Sequence, residues 1–383
     1  MVKVLQNDRL KVLCVTNLLA PYRVTLWENL GVSVDLHLVL VEGYDRKVLT
    51  KVRNADWKTR DGQNFTAENL EVLNLRTRLG NFQVSWRLIH MFKTVANVDV
   101  LMAGAWESPI HWQYIMLAKL LRKPIVLFHG STDKSANFTR GVVRMIKSAI
   151  FKSVDAVVVY GAAAHRSVRS LGVDENRIFE GFNAVDMDHF RRPRGDAESL
   201  LTTGSGGPGH HFIYVGQLIE RKRVDLLVQE FARIRRPQDR LSIIGKGVQE
   251  KELRELALRL GVAEEVFFLG EVSYRDLPKV IWGAETLVLP SSVEVWGLVV
   301  NEALAAGLHV VVADRCGVSD SVCGMQGVFI WKEDEVPLGE LLLASADSWT
   351  GPIENPAILA YSNARYADRF MESFQYVISG KRE

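Results

Sequence analysis

Cysteine is scarce in this chain, with three residues in 383. Cys14, Cys316 and Cys323 are odd in number and show no metal-ligand spacing, which fits a reducing compartment. No apolar run approaches the roughly 20 residues of a membrane-spanning helix. The opening segment MVKVLQNDRLKVLCVTN has neither the apolar stretch nor the small-residue cleavage site of a signal peptide. The expected location is therefore cytoplasmic. A helix-turn-helix signature, zinc-finger spacing and an RNP-like aromatic motif are also missing, so nucleic acid is not expected as a partner. What is present is a globular composition, 48% hydrophobic and 24% charged with mean hydropathy +0.03. The length suffices for two ordinary domains.

The near-neutral net charge of +2 conceals an asymmetry. Residues 1–190 hold 25 basic and 18 acidic side chains, whereas residues 191–383 hold 22 and 27. Between Arg76 and Arg169 the count is 14 basic against 4 acidic. Such a face is either a solvated surface or a meeting place for something anionic, of which a membrane surface and an anionic acceptor are the better candidates.

Alternating strand and helix patterns run along the chain. Residues 11–16, 34–43, 70–75, 98–105, 124–130 and 154–161 read as strands, and 84–96, 111–123 and 140–152 as helices. Pro21 is placed to open an earlier helix, and residues 44–68 read as a polar insertion. Gly, Pro and Ser crowd residues 191–211, which read as a linker. The alternation then restarts, with strands at 211–216, 240–245, 266–270, 285–290 and 308–314, helices at 223–235 and 249–261, and one or two helices at the end. This is the pattern of parallel sheets covered on both faces. The expected fold is α/β, with two doubly wound Rossmann-like domains, residues 1–190 and 211–355, joined by a linker at 191–210 and followed by a helical segment, 356–383. Such sheets bind ligands at the carboxyl ends of their strands, which here would face a central cleft.

Three stretches of the second half suit a phosphorylated ligand. Gly216-Gln217-Leu218-Ile219-Glu220-Arg221-Lys222-Arg223 places three cations at a strand-to-helix turn, which is either an anion site or a solvated basic turn. Gly245-Lys246-Gly247 is a weaker glycine turn. Gly297, Leu298 and Val299 start a further helix, whose backbone N–H groups can receive an anion. From Leu298 to Gly307 only Asn301 and Glu302 are polar. A helix apolar on nearly all sides is buried, and a carboxylate within it needs partners. A carboxylate can accept two hydrogen bonds from a vicinal diol, which suits Glu302 to a ribose. Glu294, in the loop before the helix, suits the hydroxyls of a sugar.

These stretches resemble the retaining glycosyltransferases of family 4, which have the GT-B fold. The segment Glu294-Val295-Trp296-Gly297-Leu298-Val299-Val300-Asn301-Glu302-Ala303-Leu304-Ala305-Ala306-Gly307 carries the family's two glutamates eight positions apart and its Ala-x-Ala-x-Gly ending. Tyr214-Val215-Gly216 with Arg221-Lys222, Phe268-Leu269-Gly270 and Ala313-Asp314-Arg315-Cys316-Gly317 agree with it. In the first half, Ala20-Pro21-Tyr22-Arg23, His129-Gly130 and Asn183-Ala184-Val185-Asp186 resemble a common subgroup.

The resemblance implies a nucleotide-diphosphate sugar, UDP- or GDP-linked, as co-substrate, with no metal and no cofactor. Lys222 and Arg221 would hold the diphosphate beside Gly216 and Gln217, and Glu302 the ribose. Glu294 and the backbone from Trp296 through Gly297 and Leu298 to Val299 would hold the sugar and distal phosphate, and the backbone near Val272 the base. Glu294 and His129 are the candidate catalytic residues. Arg23 is a candidate on the acceptor side or else a helix-surface arginine, and His129 is either a donor contact or a structural histidine. The implied activity is hexosyl transfer, with retention, to a glycan, lipid-linked saccharide or glycolipid in envelope polysaccharide synthesis at the inner face of the cell membrane. The C-terminal helix would cross back to the N-terminal domain. Gln217 stands where many members have arginine, and TNLLAPYR replaces the paired glycines of the N-terminal turn. Two rivals share the fold: a sugar-nucleotide epimerase, which would work without acceptor, and a non-catalytic partner subunit.

Overall fold

A computed structural model describes residues 9–41, 64–77, 80–133, 141–193 and 209–380. These residues form two compact units. The first takes residues 9–130, 141–183 and 363–380, and the second takes 131–133, 184–193 and 209–362.

The first unit runs β1 (Lys11–Thr16), α1 (Pro21–Ser33), β2 (Asp35–Leu40), β3 (Phe65–Asn69), β4 (Leu73–Thr77), β5 (Gly80–Val84), α2 (Leu88–Ala96), β6 (Val100–Ala103), α3 (Pro109–Leu120), β7 (Ile125–His129), α4 (Gly141–Ser153), β8 (Ala156–Val159), α5 (Ala162–Ser170) and β9 (Ile178–Glu180). Its parallel sheet has the order β3-β2-β1-β6-β7-β8-β9. Every residue of β6, β7 and β8 is buried, as strands covered on both faces must be. Alternate side chains serve opposite faces. Leu13, Leu101, Leu127 and Val157 join one core with Met91 of α2, Tyr114 of α3, Phe151 of α4 and Val168 of α5. The other face holds α1 and the C-terminal helix Asn363–Ser379, where Trp27, Phe128 and Phe370 meet edge to face at 5.0–6.3 Å. The C-terminal helix therefore packs on the N-terminal sheet.

One expectation fails here. The third strand of the sheet is Phe65–Asn69, not residues 70–75. It is an edge strand in which only Phe65 is buried, so it lacks the apolar signature that points to a strand. Leu73–Thr77 instead pairs antiparallel with Gly80–Val84 in a separate hairpin. That hairpin claims Val84, so the following helix starts at Leu88. Most of the expected polar insertion and linker, residues 44–63 and 194–208, lies outside the described residues.

The second unit runs α6 (Met187–Phe190), β10 (His211–Val215), α7 (Val224–Ile234), β11 (Arg240–Ile244), α8 (Glu250–Arg259), β12 (Val266–Gly270), α9 (Leu277–Ile281), β13 (Thr286–Leu289), α10 (Leu298–Ala305), β14 (His309–Ala313), α11 (Ser319–Val322), β15 (Val328–Trp331) and α12 (Leu338–Asp347). The parallel sheet order is β12-β11-β10-β13-β14-β15. The winding reverses between β10 and β13, and the carboxyl ends of the two strands at such a reversal frame a ligand crevice.

The opposite, amino end of this sheet is closed by neutral histidines. His211 Nδ1 donates to the Gly283 carbonyl at 3.1 Å, leaving Nε2 to pair with the Ser242 hydroxyl at 2.9 Å. His210 Nε2 pairs with Thr286 Oγ1 at 2.8 Å, and Thr286 with Ser345 at 2.7 Å. Burial pushes both histidines down to about 4. Their folded values lie below the ordinary 6.5, so the stability they confer is complete above that pH and falls as pH drops toward 4. At about pH 5 each costs roughly 2 kcal/mol. Thermal unfolding is expected to fall by about 5 °C or more between pH 7 and pH 5. His210→Asn with His211→Gln should flatten that slope, and an unchanged slope would refute the assignment.

Candidate functional site

The loops after β10 and β13 meet at the reversal point. Ser292 N donates to the Arg221 carbonyl at 2.9 Å, and Arg221 Nη1 donates back to the Val293 carbonyl at 3.1 Å. Arg221 and Lys222 stand on a single 3-10 turn, Glu220–Lys222, which leads into α7. Lys222 is buried and its Nζ is bonded to a carboxylate oxygen of Glu294, with Arg221 Nη1 3.9 Å from the same oxygen. Two cations thus converge on one carboxylate, leaving a net positive charge at the head of the crevice. Arg223, the third cation of the run, turns away to Glu333 at 2.6 Å. Gln217 is exposed, and its carbonyl accepts from the Tyr214 hydroxyl at 2.9 Å.

The glycines of these loops have separate tasks. A Cβ on Gly245 would lie 1.9 Å from the Gly216 carbonyl oxygen, and one on Gly247 2.0 Å from that of Leu218. The Gly245-Lys246-Gly247 turn therefore allows two loops to pack backbone to backbone. Leu218 N donates to the Lys246 carbonyl at 3.0 Å across that contact. Gly297 has φ +99°, a left-handed conformation that favours glycine. It lets the chain turn from the Glu294 loop directly into α10, whose N-cap position offers no side-chain hydrogen bond. The N–H groups of Leu298 and Val299 thus begin the helix without a capping side chain at that position. The loop itself is pinned from the far side, as Gly317 N donates to the Glu294 carbonyl at 3.1 Å and Val318 N to that of Trp296 at 3.0 Å.

Glu302 lies one and a half turns into α10 and is 7% exposed. Among the described residues no ion pair or hydrogen bond reaches its carboxyl group, and burial alone pushes it up to about 8. An ionisable group kept in this state costs stability without a structural return. Near it, in the loop after β12 that also carries Val272, stands Tyr274, whose hydroxyl is buried without a hydrogen-bond partner. Burial raises Tyr274, and the nearby Glu302 and Asp186 carboxyls raise it further. Its ring stacks on His189 at 5.0 Å, and His189 Nε2 is 2.9 Å from the Tyr274 carbonyl. Tyr274 is absent from the sequence-derived candidates. The available signal was Ser273-x-x-Asp276 before α9, where Ser273 Oγ bonds Asp276 at 2.7 Å and fixes this loop.

His129 and Arg23 belong to the first unit. His129 ends β7, is 4% exposed and meets the Phe151 ring edge to face at 4.9 Å. Arg23, in the first turn of α1, is half-buried. Its guanidinium lies over the Phe128 ring at 4.9 Å and bonds the Tyr160 hydroxyl, so it is held in an aromatic cage and not on an open helix surface.

Two doubly wound units, the second with cations and a helix N-terminus at its reversal point, define an α/β protein with the GT-B fold. The model of the family described as glycosyl transferases group 1 matches residues 204–336. An uncharacterized glycosyltransferase of Methanocaldococcus jannaschii is 35% identical over 60% of this chain and 60% of its own length. A D-inositol 3-phosphate glycosyltransferase of Streptomyces avermitilis is 27% identical over 73% of this chain and 60% of its own. The chain thus spans about 60% of the length of these curated relatives. Anabaena HepE, solved in complex with UDP, superimposes over 97% of this chain and 100% of its own with TM-score 0.70 at 15% identity, a likeness of fold. Residues 204–336 thus resemble the glycosyl transferases group 1, and the chain as a whole has the GT-B fold.

Proposed function

We propose that the protein is a retaining hexosyltransferase that uses a UDP- or GDP-linked sugar. The observation that carries this reading is the buried, unpartnered carboxyl of Glu302 in the same unit as the Arg221, Lys222 and Glu294 cluster. A ribose diol supplies the two donors that Glu302 lacks, and a diphosphate supplies the negative charge that the cluster and the start of α10 attract. Tyr274 and the Val272 backbone then flank the nucleoside. Glu294, steadied by Lys222, keeps lone pairs for the hydroxyls of the sugar.

In the reaction the bond from the anomeric carbon to the diphosphate oxygen breaks. The acceptor oxygen bonds to the same face of that carbon, and its proton passes to the departing phosphate. Arg221, Lys222 and the α10 N–H groups stabilise the charge that develops on the leaving group, the task a divalent ion performs elsewhere. The acceptor is a hydroxyl on a glycan, lipid-linked saccharide or glycolipid in envelope polysaccharide synthesis, met at the cytoplasmic face of an anionic membrane. The names of the relatives, and the UDP bound to HepE, favour this reading over other GT-B chemistries.

A thermal-shift screen of UDP- and GDP-sugars tests it. One donor class is expected to raise the unfolding temperature by several degrees, as saturating ligand contributes about 3 kcal/mol at a hundred times its Kd. No shift with any nucleotide sugar would overturn the proposal. Conversion of the donor to its epimer without acceptor would replace it with the epimerase reading.

A further inference from the structure

Among the described residues, half of the exposed large hydrophobics lie on one helix layer of the first unit or just before it, nine of eighteen. The layer is built by α2, α3, α4 and α5, which cover a single face of the sheet. On α2, Leu88, Ile89 and Phe92 recur at one and four positions and point away from the buried Met91 and Val95. On α3, Met116 and Leu120 are one turn apart and 69% and 74% exposed. On α4, Val142, Met145 and Ile146 repeat the spacing opposite the buried Phe151. The helices are neighbours: Gln113 of α3 exchanges hydrogen bonds with Ser85, just ahead of α2, at 3.0 and 3.1 Å, and Lys119 donates to the Ser153 carbonyl at the end of α4 at 2.5 Å.

An outward helix face in a water-soluble protein is normally polar. Other helices of this chain obey that rule. On α5, Arg169 pairs with Glu175 at 2.9 Å. On α7 and α8, Arg233 pairs with Glu230 at 2.7 Å and Arg254 with Glu250 at 2.9 Å. The three apolar helices hold no acidic residue at all, while Lys93, Lys119 and Lys152 are exposed on them. Apolar stripes edged by cations, on helices without a carboxylate, match the boundary between lipid chains and anionic headgroups. A protein partner of ordinary composition would leave these cations opposite mixed charge.

We propose that the outer face of α2, α3 and α4 is a docking surface for an anionic lipid bilayer, with the stripes at Ile89, Leu120 and Met145 entering the headgroup region. No helix among the described residues is long and apolar enough to cross a membrane, so the contact would lie on the bilayer. The inference rests on the membrane part of the proposed function and assigns it a surface. It does not depend on the donor site.

Co-sedimentation with vesicles tests it. The intact chain is expected to bind phosphatidylcholine vesicles containing about one third phosphatidylglycerol, to prefer them at least about tenfold over pure phosphatidylcholine, and to be released by salt. Ile89→Gln, Leu120→Gln and Met145→Gln together should weaken this binding about tenfold or more while leaving the nucleotide thermal shift unchanged, which shows the fold and donor site intact. Lys93→Gln, Lys119→Gln and Lys152→Gln should remove the preference for anionic lipid. Absent wild-type binding, or equal binding by the apolar triple variant, would overturn the proposal. A concentration-dependent dimer lost in that variant, without vesicle binding, would assign the surface to a second copy of the chain instead.

Discussion

Glu302→Gln is expected to make the unliganded protein more stable than the wild type at about pH 7.5, and to weaken nucleotide-sugar binding by at least about tenfold. Both effects come from one carboxyl group. Burial holds it up at about 8 in the folded chain, against 4.5 for an exposed glutamate. A raised folded value means that the group favours folding below pH 4.5 and that this advantage is lost as pH rises toward 8. Near pH 7.5 the loss spans about three pH units, or up to about 4 kcal/mol, of which local relaxation will recover part. Glutamine fills the same volume and has no charge to bury. The stability gain should therefore be a few degrees near pH 7.5 and close to zero near pH 5, read by thermal unfolding of both proteins at both pH values. Binding falls because an amide can accept through only one atom where the carboxylate has two. A variant with unchanged stability at both pH values, or with unchanged donor affinity, would remove Glu302 from the site.

Lys222→Met should reduce glycosyl transfer by about 10²- to 10³-fold, the usual cost of removing one preorganised charge from a leaving-group site. It should also destabilise the second unit by about 1–3 kcal/mol, because Glu294 loses its closest partner while still largely buried. Adding Glu294→Gln should restore the stability and leave transfer slow. That split separates a lysine that serves the reaction from one that merely neutralises a glutamate. Arg221→Met should cost less, as Arg221 is 46% exposed and 3.9 Å from the shared oxygen. Transfer rates within about tenfold of wild type for Lys222→Met would contradict its assigned role.

The contrast between what could and could not be inferred from sequence follows from how each feature leaves its mark. β6, β7 and β8 are runs of apolar residues because both faces are covered, and they are legible for that reason. Glu302 stood out because an apolar helix has no ordinary use for a carboxylate. β3 was missed because an edge strand buries one side chain and resembles a loop. Gly245 and Gly247 suggested a phosphate cradle, yet their small size serves a contact between two loops, and close backbone approach has the same signature in sequence as anion binding. The pairing of Lys222 with Glu294 spans 72 positions and leaves no periodic trace. Tyr274 is equally silent, since a lone aromatic in a loop usually packs. In sequence Arg23 reads equally as a ligand contact or a surface residue. Its aromatic cage is assembled from Phe128 and Tyr160, more than a hundred residues away.

The central claim is that the second unit binds a nucleotide-diphosphate sugar with its ribose on Glu302. A crystal structure with the nucleoside diphosphate of the donor that stabilises the protein tests this most directly. Ribose hydroxyls within hydrogen-bond distance of the Glu302 carboxyl are expected, with phosphate oxygens on Arg221 or Lys222 and on the N–H groups of Leu298 and Val299. A nucleotide bound away from α10, or a ribose that leaves Glu302 untouched, would contradict it.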